Sequence, residues 1–237
     1  MPTFTREGAT LHYEEHGSGF PVLLLAPGGL RSTIDAWQRA PWNPIDELAP
    51  LYRVLAMDQR NAGGGSSAPI SGADGWDTYT ADQLAVLDHA GVERAHVLGM
   101  CIGGAFIANL LRTAPDRIAA AVALQPIGLA DNRERFHEMV EGWGRERGVP
   151  EEDLAGFRDN LYGGDAVLWS VSDADVEGFR NPILVLMGDD EFHPQAASRT
   201  LARLAPNASL LETWKDPDSI PMAQKAVAEF LAANTPA

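Results

Sequence analysis

The sequence predicts an α/β fold, a mostly parallel twisted sheet flanked by helices, and two observations predict it. Continuous apolar runs at Pro21 to Ala26, Leu51 to Met57, Ile118 to Leu124 and Ile183 to Met187 suit strands buried on both faces of a parallel sheet. Between them lie amphipathic stretches of helical period, so that strand and helix alternate and right-handed crossovers follow. With 237 residues, 45% of them hydrophobic, the chain can bury one large core, and a single domain is the expectation.

Each element has its own signal. Residues 1 to 17 alternate around a Gly8-Ala9 turn, which reads as an antiparallel edge hairpin with His12 and His16 at the surface. After the second apolar run, Asp58 to Pro69 has turn chemistry throughout. Thr80 to Gly91 is an amphipathic helix closed by glycine, with His89 at its end and His96 at the start of the next strand, both satisfying local hydrogen bonds. Ala197 to Leu204 reads as a helix, Ser209 to Thr213 as a last strand and Met222 to Ala233 as a terminal amphipathic helix.

Residues 130–181 break the rhythm. Charges (Arg133, Glu134, Arg135, Glu138), aromatics (Phe136, Trp143, Phe157, Tyr162, Trp169) and several glycines crowd this interval, too aromatic for a linker. It reads as a small helical lid inserted before the Ile183 to Met187 strand, with 1–129 and 182–237 forming the core. Trp143, His137, Tyr162 and Trp169 are its candidate substrate-pocket residues.

Composition excludes several classes. Net charge is −15, from 33 acidic against 18 basic residues, with no basic cluster to meet phosphates, so neither nucleic acid nor an anionic membrane is an expected partner. A single cysteine forms no internal disulfide, and no apolar run reaches the length of a membrane span. The expectation is a cytoplasmic protein acting on a small molecule. One cysteine and scattered histidines make no metal set, and no cofactor is expected.

The chemistry concentrates at Val97-Leu98-Gly99-Met100-Cys101-Ile102-Gly103-Gly104. A buried strand, a sharp turn and a helix meet here, and the glycines two positions either side of Cys101 relieve the crowding that such a turn creates. This is the pattern of a nucleophile elbow with Cys101 at its tip, at a helix amino end that favours a thiolate.

The order of motifs over nearly the whole chain resembles the α/β-hydrolase superfamily: a strand ending in Gly28-Gly29, an Asp58-x-Arg60 turn, the elbow, a lid, and a strand end at Gly188-x-Asp190. The cysteine looks like the dienelactone-hydrolase variant, while the rest is closer to the proline-iminopeptidase and esterase-like branch. The resemblance implies that Cys101 is the nucleophile. It also implies an oxyanion hole made by the backbone N–H of Ile102 with that of Gly29 or Leu30, and structural roles for Asp58 and Arg60. The acid belongs in Gly188-Asp189-Asp190-Glu191-Phe192-His193-Pro194, where Asp190 matches best and Asp189 and Glu191 are alternatives. The family's base is a histidine after the last strand, yet no histidine occurs from 194 to 237. His193 is the one histidine whose position brings it near the elbow. A thiol, with a pKa only about one and a half units above neutral, tolerates the loss of a base better than a hydroxyl.

The leading expectation is therefore a cysteine-dependent hydrolase or acyl transferase acting on a small ester, thioester or lactone. A non-hydrolytic enzyme of the same fold (lyase, isomerase or cofactor-free) and a non-catalytic small-molecule binder are the alternatives.

Overall fold

A computed structural model describes residues 2–236. Eight strands form one sheet: β1 (Thr3–Arg6), β2 (Ala9–His16), β3 (Pro21–Leu25), β4 (Arg53–Met57), β5 (Ala95–Met100), β6 (Ile118–Leu124), β7 (Ile183–Leu186) and β8 (Ala208–Leu211). Their spatial order is β1-β2-β4-β3-β5-β6-β7-β8. β1 and β2 pair antiparallel, as do β2 and β4, and every later pair is parallel. The apolar runs are continuous because both faces of the sheet are covered. Along β5, Val97 packs into one core and Leu98 into the other, the alternation that a strand imposes.

Eight helices flank the sheet: α1 (Pro44–Leu48), α2 (Trp76–His89), α3 (Ile102–Thr113), α4 (Arg133–Glu146), α5 (Glu151–Tyr162), α6 (Asp173–Glu177), α7 (Gln195–Leu204) and α8 (Ile220–Ala233). Helices α4 to α6 occupy the interval between β6 and β7. Phe136, Val140 and Trp143 of α4, one helical face, join Phe157, Leu161 and Tyr162 of α5 in the same core as Val97 and Phe106. The opposite core gathers Trp37, Leu98, Leu186, Trp214 and Val227. Among the described residues no helix is long and apolar enough to cross a membrane.

Three local expectations need correction. The edge hairpin turns at Glu7 and Gly8, both at positive φ, rather than at Gly8-Ala9. His12 is buried rather than exposed, because β2 is paired along both edges and its ring lies against Gly65. Helix α2 begins at Trp76, four residues early: the Thr78 hydroxyl caps the Gly75 N–H, and the Trp76 indole donates to the Leu161 carbonyl.

Candidate active site

Cys101 sits between β5 and α3 at φ 62°, ψ −118°, a backbone conformation that a side chain tolerates only where its surroundings hold it. They do so tightly. The Cys101 N–H donates to Leu124 O at 3.0 Å, and its carbonyl accepts from Gly104 at 3.0 Å and Ile127 at 3.1 Å. Strand and helix approach so closely that a Cβ on Gly99 would lie 2.7 Å from Gly103 O, and one on Gly103 would lie 2.5 Å from Leu25 O. The glycines of the motif are thus demanded by contact.

The thiol is partly exposed and is the chain's single sulfhydryl. Burial alone would push its pKa up. The hydrogen bond and positive charge of His193, with the backbone N–H groups of Gly28 and Ile102, outweigh that and hold it below the ordinary thiol value.

His193 reaches the thiol because the loop after β7 folds back on itself. A Cβ on Gly188 would lie 2.4 Å from His193 O, and the Gly188 N–H is held by Ser198 Oγ at 3.1 Å. Asp190 Oδ1 accepts from the backbone N–H groups of Phe192 and His193, each at 3.0 Å, and the His193 Nδ1 lies 2.7 and 2.8 Å from the two carboxylate oxygens. This leaves His193 Nε2 buried and without a hydrogen-bond partner, near enough to the thiol for the two to shift each other's pKa. Burial would depress the imidazole, but the thiol and Asp190 together raise its pKa; Asp190, opposed by its own desolvation, is held below the usual carboxylate value by His193 and the two N–H groups.

The three consecutive acids part company. Asp189 pairs with Lys215, Asp190 with His193, and Glu191 with Arg135 of α4 at 3.2 Å. Only Asp190 touches the imidazole. The loop after β8 holds Trp214, buried with its indole N–H on Met187 O at 2.7 Å, and Lys215, which also donates to Gln125 Oε1 at 3.1 Å.

The N–H that meets the sulfur from the loop after β3 belongs to Gly28, which directly precedes Gly29 and Leu30. The reason is local: Gly28 has φ 118° and its carbonyl accepts from Arg31, so a short helical turn opens at Gly29 and leaves Gly28 at the strand end.

Tyr162 is fully buried and its hydroxyl has no hydrogen-bond partner; burial and then the negative charge of Cys101 drive its pKa well up. Its ring packs on Phe136 and Trp169 at 4.8 and 5.3 Å, and Phe136 meets Phe192, the neighbour of His193. The indole N–H groups of Trp143 and Trp169 are also buried and unpartnered. Trp143 lines a cleft of about 250 Å³ with Gly28, Leu30, Arg31 and Met139, so the cleft shares Gly28 with the thiol. His137 is placed otherwise, with Nε2 3.2 Å from the Tyr162 carbonyl, a contact that braces α4 against α5. Asp58 and Arg60 lie in the loop after β4, where Asp58 accepts from the N–H groups of Ile34 and Gly65 and Arg60 is held by Asp82 of α2 and by Asp74.

Gly28 and Lys215 were not singled out by sequence reasoning as site neighbours. For Lys215 a signal existed: it is one of only two lysines in a chain that otherwise uses arginine.

Comparison with known proteins agrees with this architecture. The chain is 36% identical over 149 residues to RutD of Azorhizobium caulinodans, whose name describes a carbamate hydrolase, but the match covers 62% of this chain and 47% of that one. It is 30% identical to a non-heme haloperoxidase of Rhodococcus erythropolis, over 67% of this chain and 53% of the other. The chain therefore matches about half the length of these two relatives. The enol-lactonase from Burkholderia xenovorans superposes with a TM-score of 0.73 at 21% identity, covering 98% of this chain and 100% of that one, a likeness of fold. Residues 21–177 match the alpha/beta hydrolase fold family model, and with the sheet order and the strained turn at Cys101 this places the chain in the α/β-hydrolase family.

Proposed function

We propose that the protein is a cysteine-dependent hydrolase or acyl transferase acting on a small ester, thioester or lactone. The observation that carries this is the row Cys101, His193, Asp190: a thiol of lowered pKa, an imidazole of raised pKa, and a carboxylate fixing the imidazole through Nδ1. Both shifts favour the thiolate–imidazolium form of the pair over the neutral one.

The thiolate attacks the carbonyl carbon, forming the C–S bond, while the carbonyl electrons move to oxygen. We assign that oxyanion to the N–H groups of Ile102 and Gly28, which face the sulfur at rest, with about 3 kcal/mol at stake per donor. As the oxyanion collapses, His193 gives its proton to the departing oxygen or sulfur and an acyl-thioester remains. Neutral His193 then takes a proton from water, or from an acceptor nucleophile, whose attack releases the thiolate. The reading is supported by relatives named as a carboxylesterase and a carbamate hydrolase and by the fold of an enol-lactonase. Helices α4 to α6 act as a lid, with Tyr162, Trp143 and Trp169 offering hydrogen-bond donors to an otherwise apolar ligand. With His193 against the thiol, the lack of a later histidine no longer favours lyase or isomerase chemistry.

The test is intact mass after mixing with p-nitrophenyl acetate. An acetyl adduct on the wild type, its absence in Cys101→Ala, and a burst of nitrophenol equal to the enzyme are expected. Nitrophenol release that persists in Cys101→Ala would rule covalent catalysis out.

A further inference from the structure

The loop after β8, where the resemblance looks for a base, carries a lysine whose contacts join the two halves of the site. Lys215 Nζ donates to Gln125 Oε1 at 3.1 Å and pairs with Asp189. Gln125 is held at φ 36°, its N–H on Leu186 O at 2.7 Å, and it lies between Leu124 and Ile127, the two residues that grip the Cys101 backbone. Asp189 directly precedes Asp190. Trp214, 1% exposed and bonded to Met187 O, fixes the backbone from which Lys215 reaches out.

We propose that Lys215 is a positioning residue whose ammonium ties the segment gripping Cys101 to the loop carrying Asp190 and His193, and so sets the separation of thiol and imidazole. This rests on the Cys101–His193–Asp190 reading above. Asp189 is 53% exposed and Lys215 31%, so the ion pair itself adds little stability. Its worth is geometric, since a displacement of about 1 Å between reacting groups can cost about a hundredfold in rate. The charged or titratable groups around the pair are His193, Asp190 and Asp189 on one loop, Lys215 on the next, Glu191 with Arg135 from α4, and the Tyr162 hydroxyl from α5.

Because Cys101 is the only thiol, its alkylation by iodoacetamide, followed by intact mass between pH 5 and 9, reads the site without knowledge of the substrate. His193→Ala should move the midpoint of the profile upward. Lys215→Met and Asp189→Asn should each move it the same way by a smaller amount, with labelling at pH 6.5 about tenfold slower, and Lys215→Arg should restore most of the loss. Asp189→Asn discriminates the mechanism. Removing a negative charge from the loop that carries His193 would lower the midpoint by electrostatics alone, whereas loss of the tie raises it. A lowered or unchanged midpoint in Asp189→Asn overturns the proposal, as does an unchanged profile in a folded Lys215→Met; if Lys215→Met fails to fold, Asp189→Asn decides alone. A profile unmoved by His193→Ala would overturn the underlying site instead.

Discussion

Strand β5 has an imidazole at each end, one buried and one largely so, and the two have been driven in opposite directions. At its amino end His96 is fully buried against Phe20 and Tyr52, with ring centroids 4.8 and 6.0 Å away, and Nε2 2.9 Å from the Thr235 hydroxyl. Burial, helped by the positive charge of Arg94, pushes its pKa down to about 4 against a backbone hydrogen bond. At the carboxyl end, beside Cys101, His193 suffers the same desolvation, yet the thiol and Asp190 raise it. Burial alone therefore does not decide whether a histidine carries charge in this protein. An anionic partner does.

The sharpest way to break that contrast is to remove the imidazole at the carboxyl end. His193→Ala should lower acyl transfer to p-nitrophenyl acetate by about 10² to 10⁴-fold, the usual share of a general acid–base group, without a matching fall in Tm. A loss of less than threefold would mean that His193 is a bystander to the thiol.

The second effect lies at the other end. In the unfolded chain His96 protonates near its ordinary 6.5, in the folded chain only near 4, so between those values the unfolded state binds more protons. Acidification from pH 6.5 to 4 should then remove about 3 kcal/mol of stability through this residue, levelling off below. Urea unfolding across that window should show a shallower slope in His96→Gln. His193, whose raised value works with opposite sign, contributes stability below pH 6.5 that is lost as pH climbs through its folded pKa, so the two windows are separable. Equal slopes in the wild type and His96→Gln would remove His96 from the account.

The smallest effect sharpens the comparison through a neutral group. The Tyr162 hydroxyl is buried without a partner, so Tyr162→Phe should raise Tm, by about 2–4 °C for each kcal/mol relieved, while weakening turnover of substrates that carry an acceptor beyond the reacting carbonyl. A fall in Tm would show that the hydroxyl is satisfied in solution.

Much of this was legible in the chain because it depends on local pattern. The apolar runs marked β3 to β7 where both faces are covered, and Gly99 and Gly103 announced the turn at Cys101 because their missing side chains are a steric necessity. What local pattern could not give was the distribution of partners among neighbours. Asp189, Asp190 and Glu191 are alike in sequence; they differ because Lys215, His193 and Arg135 arrive from three separate elements. That Gly28 is the residue of the loop after β3 whose N–H meets the sulfur likewise turns on where one helical turn begins. His12 was misplaced because the pairing of β2 along both edges is a property of the sheet.

Asp190 and His193 are three residues apart, so bringing them together closes only a short loop, at small entropic cost. On the reading proposed above, acid and base are encoded together as one seven-residue word, Gly188 to Pro194. Insertions among α4 to α6, or drift after β8, can change how that word is presented to the thiol without ever parting its two letters. The same word could be written into a relative whose elbow carries serine, bringing both functions in a single graft.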